Sequence, residues 1–499
     1  MSDIKQLKDY FSDLKRLRYI QNLLKWDQRV YMPEGANKGR AELIAYISKL
    51  THEKLISDKT HQLIKKAEQI DNLNLVDTAI LREAKREYQK AIGIPTELVE
   101  EIAKTATLGH KAWKRAREKN QFSAFEPHLT EIINLQKQYA DYIDLYPKRY
   151  DNLLDDYEPG VTADWLTKIF NGLKSQLLKL LEKIKASNYN PDQSFLSKKY
   201  SPEKQWAFCR EIIEKLHFNF DLGRIDESVH PFTISVGSFD IRITSRIMEN
   251  FLPSCIFGTI HECGHALYEL GFMDEIQSTN LANPSSMGIH ESQSRLWENV
   301  IGRSREFWKG YWYEKLQNYF PENLNNISVE QFYKSINAVQ PSLIRVEADE
   351  LTYSLHIILR FELEKLIFTD KVEPNELPQV WNEKMEELLF LIPETDTEGI
   401  LQDVHWSGGA FGYFPSYALG NLYAAQIYSA ASEKISNLAN HISNANYSPL
   451  LAYLREEIHQ YGMIYPPREL IKKISGDPLD PIHFINYLER KFYPMYNIG

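Results

Sequence analysis

One decapeptide constrains this chain more than any other: Gly258-Thr259-Ile260-His261-Glu262-Cys263-Gly264-His265-Ala266-Leu267, which contains its only His-Glu-x-x-His. A helix advances about 100° per residue, so residues four apart return to one face and the imidazoles of His261 and His265 can grip one ion. Glu262 then lies beside the ion, placed to take a proton from a zinc-bound water. The plainer reading is an accident of spacing among 14 histidines. Against it, the flanks Ile256, Phe257, Gly258, Ile260, Ala266 and Leu267 are small or apolar. Such a helix is predicted to be buried, and a buried histidine pair needs a partner. Gly271 marks the expected C-terminus. Cys263, two residues from each histidine, points elsewhere and reads as packing.

A length of 499 residues allows two to four domains or one large helical body, which is the reading taken for 1–499. The 58 basic and 68 acidic residues leave a net charge of -10, which disfavours nucleic acid and anionic membranes as partners. Cys209, Cys255 and Cys263 make no disulfide framework, and the start Met1-Ser2-Asp3-Ile4-Lys5-Gln6 lacks the apolar core of a signal peptide. A cytoplasmic location is therefore expected. The longest uncharged run, Val404 to Ser432, is interrupted by Gly408, Gly409, Gly412, Pro415, Gly420, Asn421 and Gln426, which argues against a membrane span.

Most of the chain has helical periodicity. Ile4, Leu7, Tyr10, Phe11, Leu14, Leu17, Ile20 and Leu24 form one stripe between Asp3 and Lys25. Further helices are predicted over 40–55, 77–91, 95–118, 125–145, from Thr162, and over 328–366, 380–391, 420–437 and 450–461. Val229, Phe232, Ile234, Val236, Phe239, Ile241 and Ile243 instead near-alternate with polar residues around Gly237-Ser238. They predict a short hairpin or small sheet just before the metal helix. The fold class is thus mainly α with one small β-sheet.

A catalytic zinc usually keeps three protein ligands and one water. Glu291, in a helix predicted to open at His290, lies 26 residues beyond His265 and can return onto the metal. Its plainer reading is a carboxylate complementing a helix N-terminus.

His261-Glu262-Cys263-Gly264-His265 followed by His290-Glu291-Ser292-Gln293 resembles the Taq-type family of thermostable metallocarboxypeptidases. His230-Pro231-Phe232, Asp240-Ile241-Arg242-Ile243-Thr244, Ile344-Arg345-Val346-Glu347-Ala348-Asp349 and Gly399-Ile400-Leu401-Gln402-Asp403-Val404-His405-Trp406 follow the family's order. So do Trp26-Asp27-Gln28, Leu153 to Gly160, Tyr413 to Gly420 and Tyr487-Leu488-Glu489-Arg490-Lys491. The resemblance implies a two-lobed helical body with a deep groove, the N-terminal helices of about 1–160 forming part of one wall, and a homodimer. It implies removal of single residues from peptide C-termini with broad specificity. It assigns His261, His265 and Glu291 to the metal, zinc or alternatively cobalt, and Glu262 to general base.

Such an enzyme also needs a donor for the carbonyl oxygen and a cation for the terminal carboxylate. His405 and Tyr417, with Tyr413 as substitute, are the candidates for the first; Arg345 and Arg242, carried mainly by the family motifs, are those for the second. His230 is a further substrate-side candidate. Plainer readings pair Arg345 with Asp349 along one helix and Arg242 with Asp240 or Glu249, and make His405 a core histidine. The competing functions are a zinc endopeptidase or oligopeptidase, which needs no such cation, and a non-catalytic helical metal-binding protein, which has little use for Glu262.

Overall fold

A computed structural model describes residues 2–498. Helices dominate, and those that shape the site are labelled in chain order: α1 (Asp3–Val30), α2 (Asn37–Leu55), α3 (Pro202–Lys215), α4 (Leu252–Glu269), α5 (Met287–Arg295), α6 (Tyr353–Phe368), α7 (Phe414–Lys434) and α8 (Ile482–Tyr496). The predicted stripe of α1 is buried at Leu7, Phe11 and Leu14, whereas Ile20 is exposed, so the stripe is fully covered only in the N-terminal half of the helix. No described helix is long and apolar enough to cross a membrane.

The predicted hairpin is present and gains a partner. Strands β1 (Gly223–Glu227), β2 (Thr233–Gly237) and β3 (Asp240–Ser245) form a sheet in the order β1-β3-β2. β2 runs antiparallel to β3, with Thr233 opposite Ile243 and Ile234 opposite Arg242, while β1 runs parallel to β3. Side chains alternate across a strand. Ile241, Ile243 and Ser245 are buried toward α4, where the Ser245 and Thr259 hydroxyls meet at 2.7 Å. The opposite face carries Arg242 toward α1.

α4 is buried almost throughout, as its apolar flanks predict, and ends two residues before Gly271. α5 opens at Met287, not His290, because the Ser286 hydroxyl caps it by accepting from the Ile289 N–H at 3.0 Å. The helix predicted over 328–366 is broken. Val329–Ile336 ends at Asn337, and helix resumes at Tyr353 after a loop that holds only the short turn Arg345–Glu347. Pro341 and Asp349 account for the break: Pro341 has no N–H for the ladder and disfavours helix at Gln340, and Asp349 accepts from the Gln340, Leu351 and Thr352 N–H groups, stabilising a turn in its place. α8 closes on this loop through the buried Lys491–Glu350 ion pair, 2.6 Å.

Candidate metal centre

His261 and His265 are successive turns of α4, their ring centroids 4.9 Å apart. Glu291 meets them from α5: its Oε2 lies 3.8 Å from His261 Nε2 and 3.6 Å from His265 Nε2. These separations are too long for hydrogen bonds. They approach the spacing of about 3.3 Å that ligands take around a tetrahedral zinc with bonds of about 2.0 Å. Ligand atoms of the three residues all lie within 4.8 Å of one another, and no other such group occurs among the described residues. Two nitrogens and one carboxylate oxygen, converging without bonding one another, fit a divalent ion. Two glycines permit the convergence. A side chain at Gly264 would strike the α5 backbone at Gln293 and Ser294, and one at Gly420 of α7 would strike Glu291 itself.

A ring of carboxylates backs the ligands. Glu298, in the π-helical turn Leu296–Ile301 that continues α5, accepts from His261 Nδ1–H at 2.9 Å, turning Nε2 toward the centre. Arg295 donates to Glu291 at 2.7 Å and to Glu298 at 3.2 Å. Arg303 is 3.6 Å from Glu298. Burial opposes charge on Glu298, but Arg295 and His261 prevail and hold its pKa down to about 2. His290 stacks on His265, with ring centroids 4.0 Å apart, and bonds Glu269 at 3.0 Å. Burial, with His290 and His261 beside it, pushes the His265 pKa well down, which keeps it neutral as a ligand must be. Glu262 is also buried, and that burial raises its pKa.

The landmark from Leu153 to Gly160 braces this assembly. Glu158, fully buried, accepts from the Gly288 N–H at the start of α5 and from the Ser416 hydroxyl at 3.1 Å on α7. Burial raises its pKa to about 7.

Arg345 is linked to the candidate ligand Glu291 through two side chains, Tyr353 and Arg295. Its Nη1 donates to the Tyr353 hydroxyl at 3.1 Å, and the Tyr353 ring lies 4.5 Å from the Arg295 guanidinium, which bonds Glu291. The expected pairing with Asp349 along a helix is absent, because that helix does not form. Arg345 instead donates through Nε and Nη2 to Asp403, which Arg360 also contacts at 2.6 Å. Two buried guanidinia thus share one carboxylate. His405 Nε2 lies 3.2 Å from the Tyr417 hydroxyl, and the Tyr413 ring stands perpendicular to Tyr417 at 5.0 Å. Burial, reinforced by Arg345, lowers the His405 pKa to about 4.

Arg242 is not brought to this place, and among the described residues no hydrogen bond, ion pair or ring contact links the His230 side chain to it. Arg242 lies on the sheet face away from α4, chelated by Asp240 at 2.7 and 3.0 Å and stacked 4.2 Å over Trp26 of α1. His230 is exposed, and its carbonyl accepts from Ser228. Sequence reasoning overlooked Arg295 and Glu298, although Glu291, Arg295 and Glu298 recur at intervals of four and three along one helix face. It also overlooked Thr233, whose hydroxyl bonds Glu262 at 2.7 Å; that contact joins a strand to a helix and leaves no periodic signal.

Comparison with known proteins returns one answer from sequence and structure. The family model for Carboxypeptidase Taq (M32) metallopeptidase matches residues 6–492. Carboxypeptidase 1 of Bacillus subtilis is 40% identical over 98% of both chains. Thermostable carboxypeptidase 1 of Pyrococcus furiosus is 39% identical, again over 98% of both. The crystal structure of a Deinococcus radiodurans carboxypeptidase superposes with a TM-score of 0.97 at 34% identity, over the whole of both chains.

Proposed function

The chain belongs to the carboxypeptidase Taq metallopeptidase family and is a metal-dependent carboxypeptidase; on that premise we propose that His261, His265 and Glu291 hold its ion, Glu262 moves the proton and Arg345 reads the free C-terminus. One observation carries this reading: three ligand atoms converge within 4.8 Å, and the residue after the first histidine is a buried carboxylate. Zinc is the ion we assign, with cobalt able to serve, because a nitrogen-rich set of three suits it. When bound, a divalent ion supplies Lewis acidity that makes water a nucleophile near neutral pH and polarises the scissile carbonyl.

The protein's own groups do the rest. Glu262 accepts a proton from the attacking water and returns it to the leaving nitrogen; burial, by raising its pKa, makes it a stronger base. His405, kept neutral, donates through Nε2–H to the Tyr417 oxygen, so that Tyr417 can direct its own proton at the carbonyl oxygen, with Tyr413 beside it. Arg345 and Arg360 share Asp403 as their ion-pair partner, and the Glu364 carboxyl near Arg360 is pushed up to about 7 by burial, so positive charge is left over, which suits a single terminal carboxylate. We give Arg242 no part in this role, because it lies on the sheet face away from α4, paired with Asp240 and stacked on Trp26. The single body over 1–499, the groove wall built by residues 1–160, the homodimer and the cytoplasmic location remain part of the proposal. The free state of Cys209, Cys255 and Cys263 supports that compartment.

The direct test is Glu291→Ala, with metal content measured after mild chelation. Removing a ligand should lower occupancy far below one ion per chain while the wild type keeps its ion. Stoichiometric metal in the variant would remove Glu291 from the ligand set.

A further inference from the structure

Strand β2 presents two hydroxyls to α4 from one face. Ser235 bonds Glu269, and Thr233 bonds Glu262, two helical turns earlier. Thr233 Oγ1 lies 2.7 Å from Glu262 Oε2 and 3.0 Å from the Glu262 carbonyl oxygen. A hydroxyl has one proton to give. The carboxylate oxygen is nearer and carries charge, whereas a carbonyl within a helix is already engaged by the ladder, so the proton goes to Oε2. Among the described residues, no other side chain hydrogen-bonds this carboxylate. Oε2 is therefore tethered, and Oε1 is the oxygen left to meet water.

The tether is itself anchored. Thr233 is fixed by its pairing with Ile243 on one side. From the outer side, α1 holds the strand through Asn22, which donates to the Ser235 carbonyl at 2.9 Å, and through Arg29, 4.9 Å over the Phe232 ring. A glutamate side chain has rotatable bonds enough to swing its carboxylate away from a water; a donor on a pinned strand removes that freedom.

We propose that Thr233 is a positioning residue for catalysis: its hydroxyl holds one oxygen of Glu262 so that the other faces the attacking water. This rests on Glu262 being the general base, and the experiment separates the two claims. The variants Thr233→Val, Thr233→Ser and Thr233→Ala would be assayed with an N-blocked tripeptide bearing a free C-terminal carboxylate, next to Glu262→Gln. Thr233→Val keeps the shape and loses the donor. Its kcat should fall about tenfold or more, with KM within about twofold and metal content and Tm unchanged. Thr233→Ser, which restores the donor without the methyl, should return kcat to within about threefold of wild type. If the valine variant fails to fold, the same contrast is read between serine and alanine. A valine variant with kcat within about twofold of wild type, or a serine variant as impaired as the valine or alanine one, would overturn the proposal. Glu262→Gln inactive beside an unimpaired Thr233→Val would sink the tether alone, and an active Glu262→Gln would sink both.

Discussion

Two buried clusters stand on either side of Tyr353, and they are unbalanced in opposite directions. On the α4–α5 side, Glu291 and Glu298 pair with Arg295 and Arg303, while the buried Glu262 and the half-buried Glu269 lie beside them with Lys15 of α1 as the further cation near Glu269, which leaves negative charge in excess. On the α6 side, Arg345 and Arg360 pair with the one carboxylate of Asp403, and the nearby Glu364 is pushed by burial to a pKa of about 7 and offsets them only in part, which leaves positive charge in excess. Isolated buried charge costs several kcal/mol, so neither imbalance is neutral for folding. Each matches in sign what the proposed site would bind: a divalent cation in one case, a peptide's terminal carboxylate in the other.

The largest effect should come from the negative cluster. Glu262→Gln keeps nearly the same shape but cannot accept a proton, so kcat should fall about 10²- to 10⁴-fold with metal content unchanged. Equal metal and near wild-type kcat would remove Glu262 from the chemistry and break the comparison at its stronger half. Glu298→Gln keeps an acceptor for His261 but removes charge from behind the ligand. Competition with a chelator should then show metal affinity lowered about 10- to 100-fold. An unchanged affinity would mean that the excess charge plays no part in holding the ion.

The smallest effect concerns the framework behind the clusters. His459 Nε2 lies 3.0 Å from Gln293 Oε1, and burial, with Arg455 nearby, lowers its pKa from 6.5 to about 3. The unfolded chain therefore binds a proton below about pH 6.5 that the folded chain refuses, and stability is lost as pH falls. His459→Gln keeps a donor for Gln293 without this linkage. Between about pH 7 and pH 4.5 the wild type should lose roughly 2 kcal/mol relative to the variant. Parallel Tm curves would show that His459 titrates alike in both states.

How much of this was legible in the sequence follows from the distance over which each signal acts. The helices, the small sheet and the histidine pair were legible because helical and strand periodicity are local; Glu291 was reached through the need for a third ligand and the family resemblance, not through periodicity. The break between Asn337 and Thr352 was legible only in part: Pro341 argues against a continuous helix, but the apolar spacing fits one, and the three backbone groups gathered by Asp349 leave no sequence signal. Arg345 was named, yet its partner Asp403 lies 58 residues away and nothing local announces it. The placement of Arg242 was hidden for a related reason. Its motif marks a strand, but which face of the strand meets α4 is set by the register with β2 and by Trp26.

The positive cluster offers the most direct test of the central claim, that one site binds a cation and its neighbour a C-terminal carboxylate. A peptide with a free C-terminus and the same peptide as its C-terminal amide would be digested by the metal-loaded wild type and by Arg345→Lys, with products followed by mass spectrometry. The wild type should yield a ladder losing one residue at a time from the acid and should act poorly on the amide. Lysine keeps the charge but not the paired hydrogen bonds, so kcat/KM on the acid should fall roughly tenfold to a hundredfold, with little change on the amide. Internal fragments from the wild type, or equal losses on both peptides in the variant, would contradict the account.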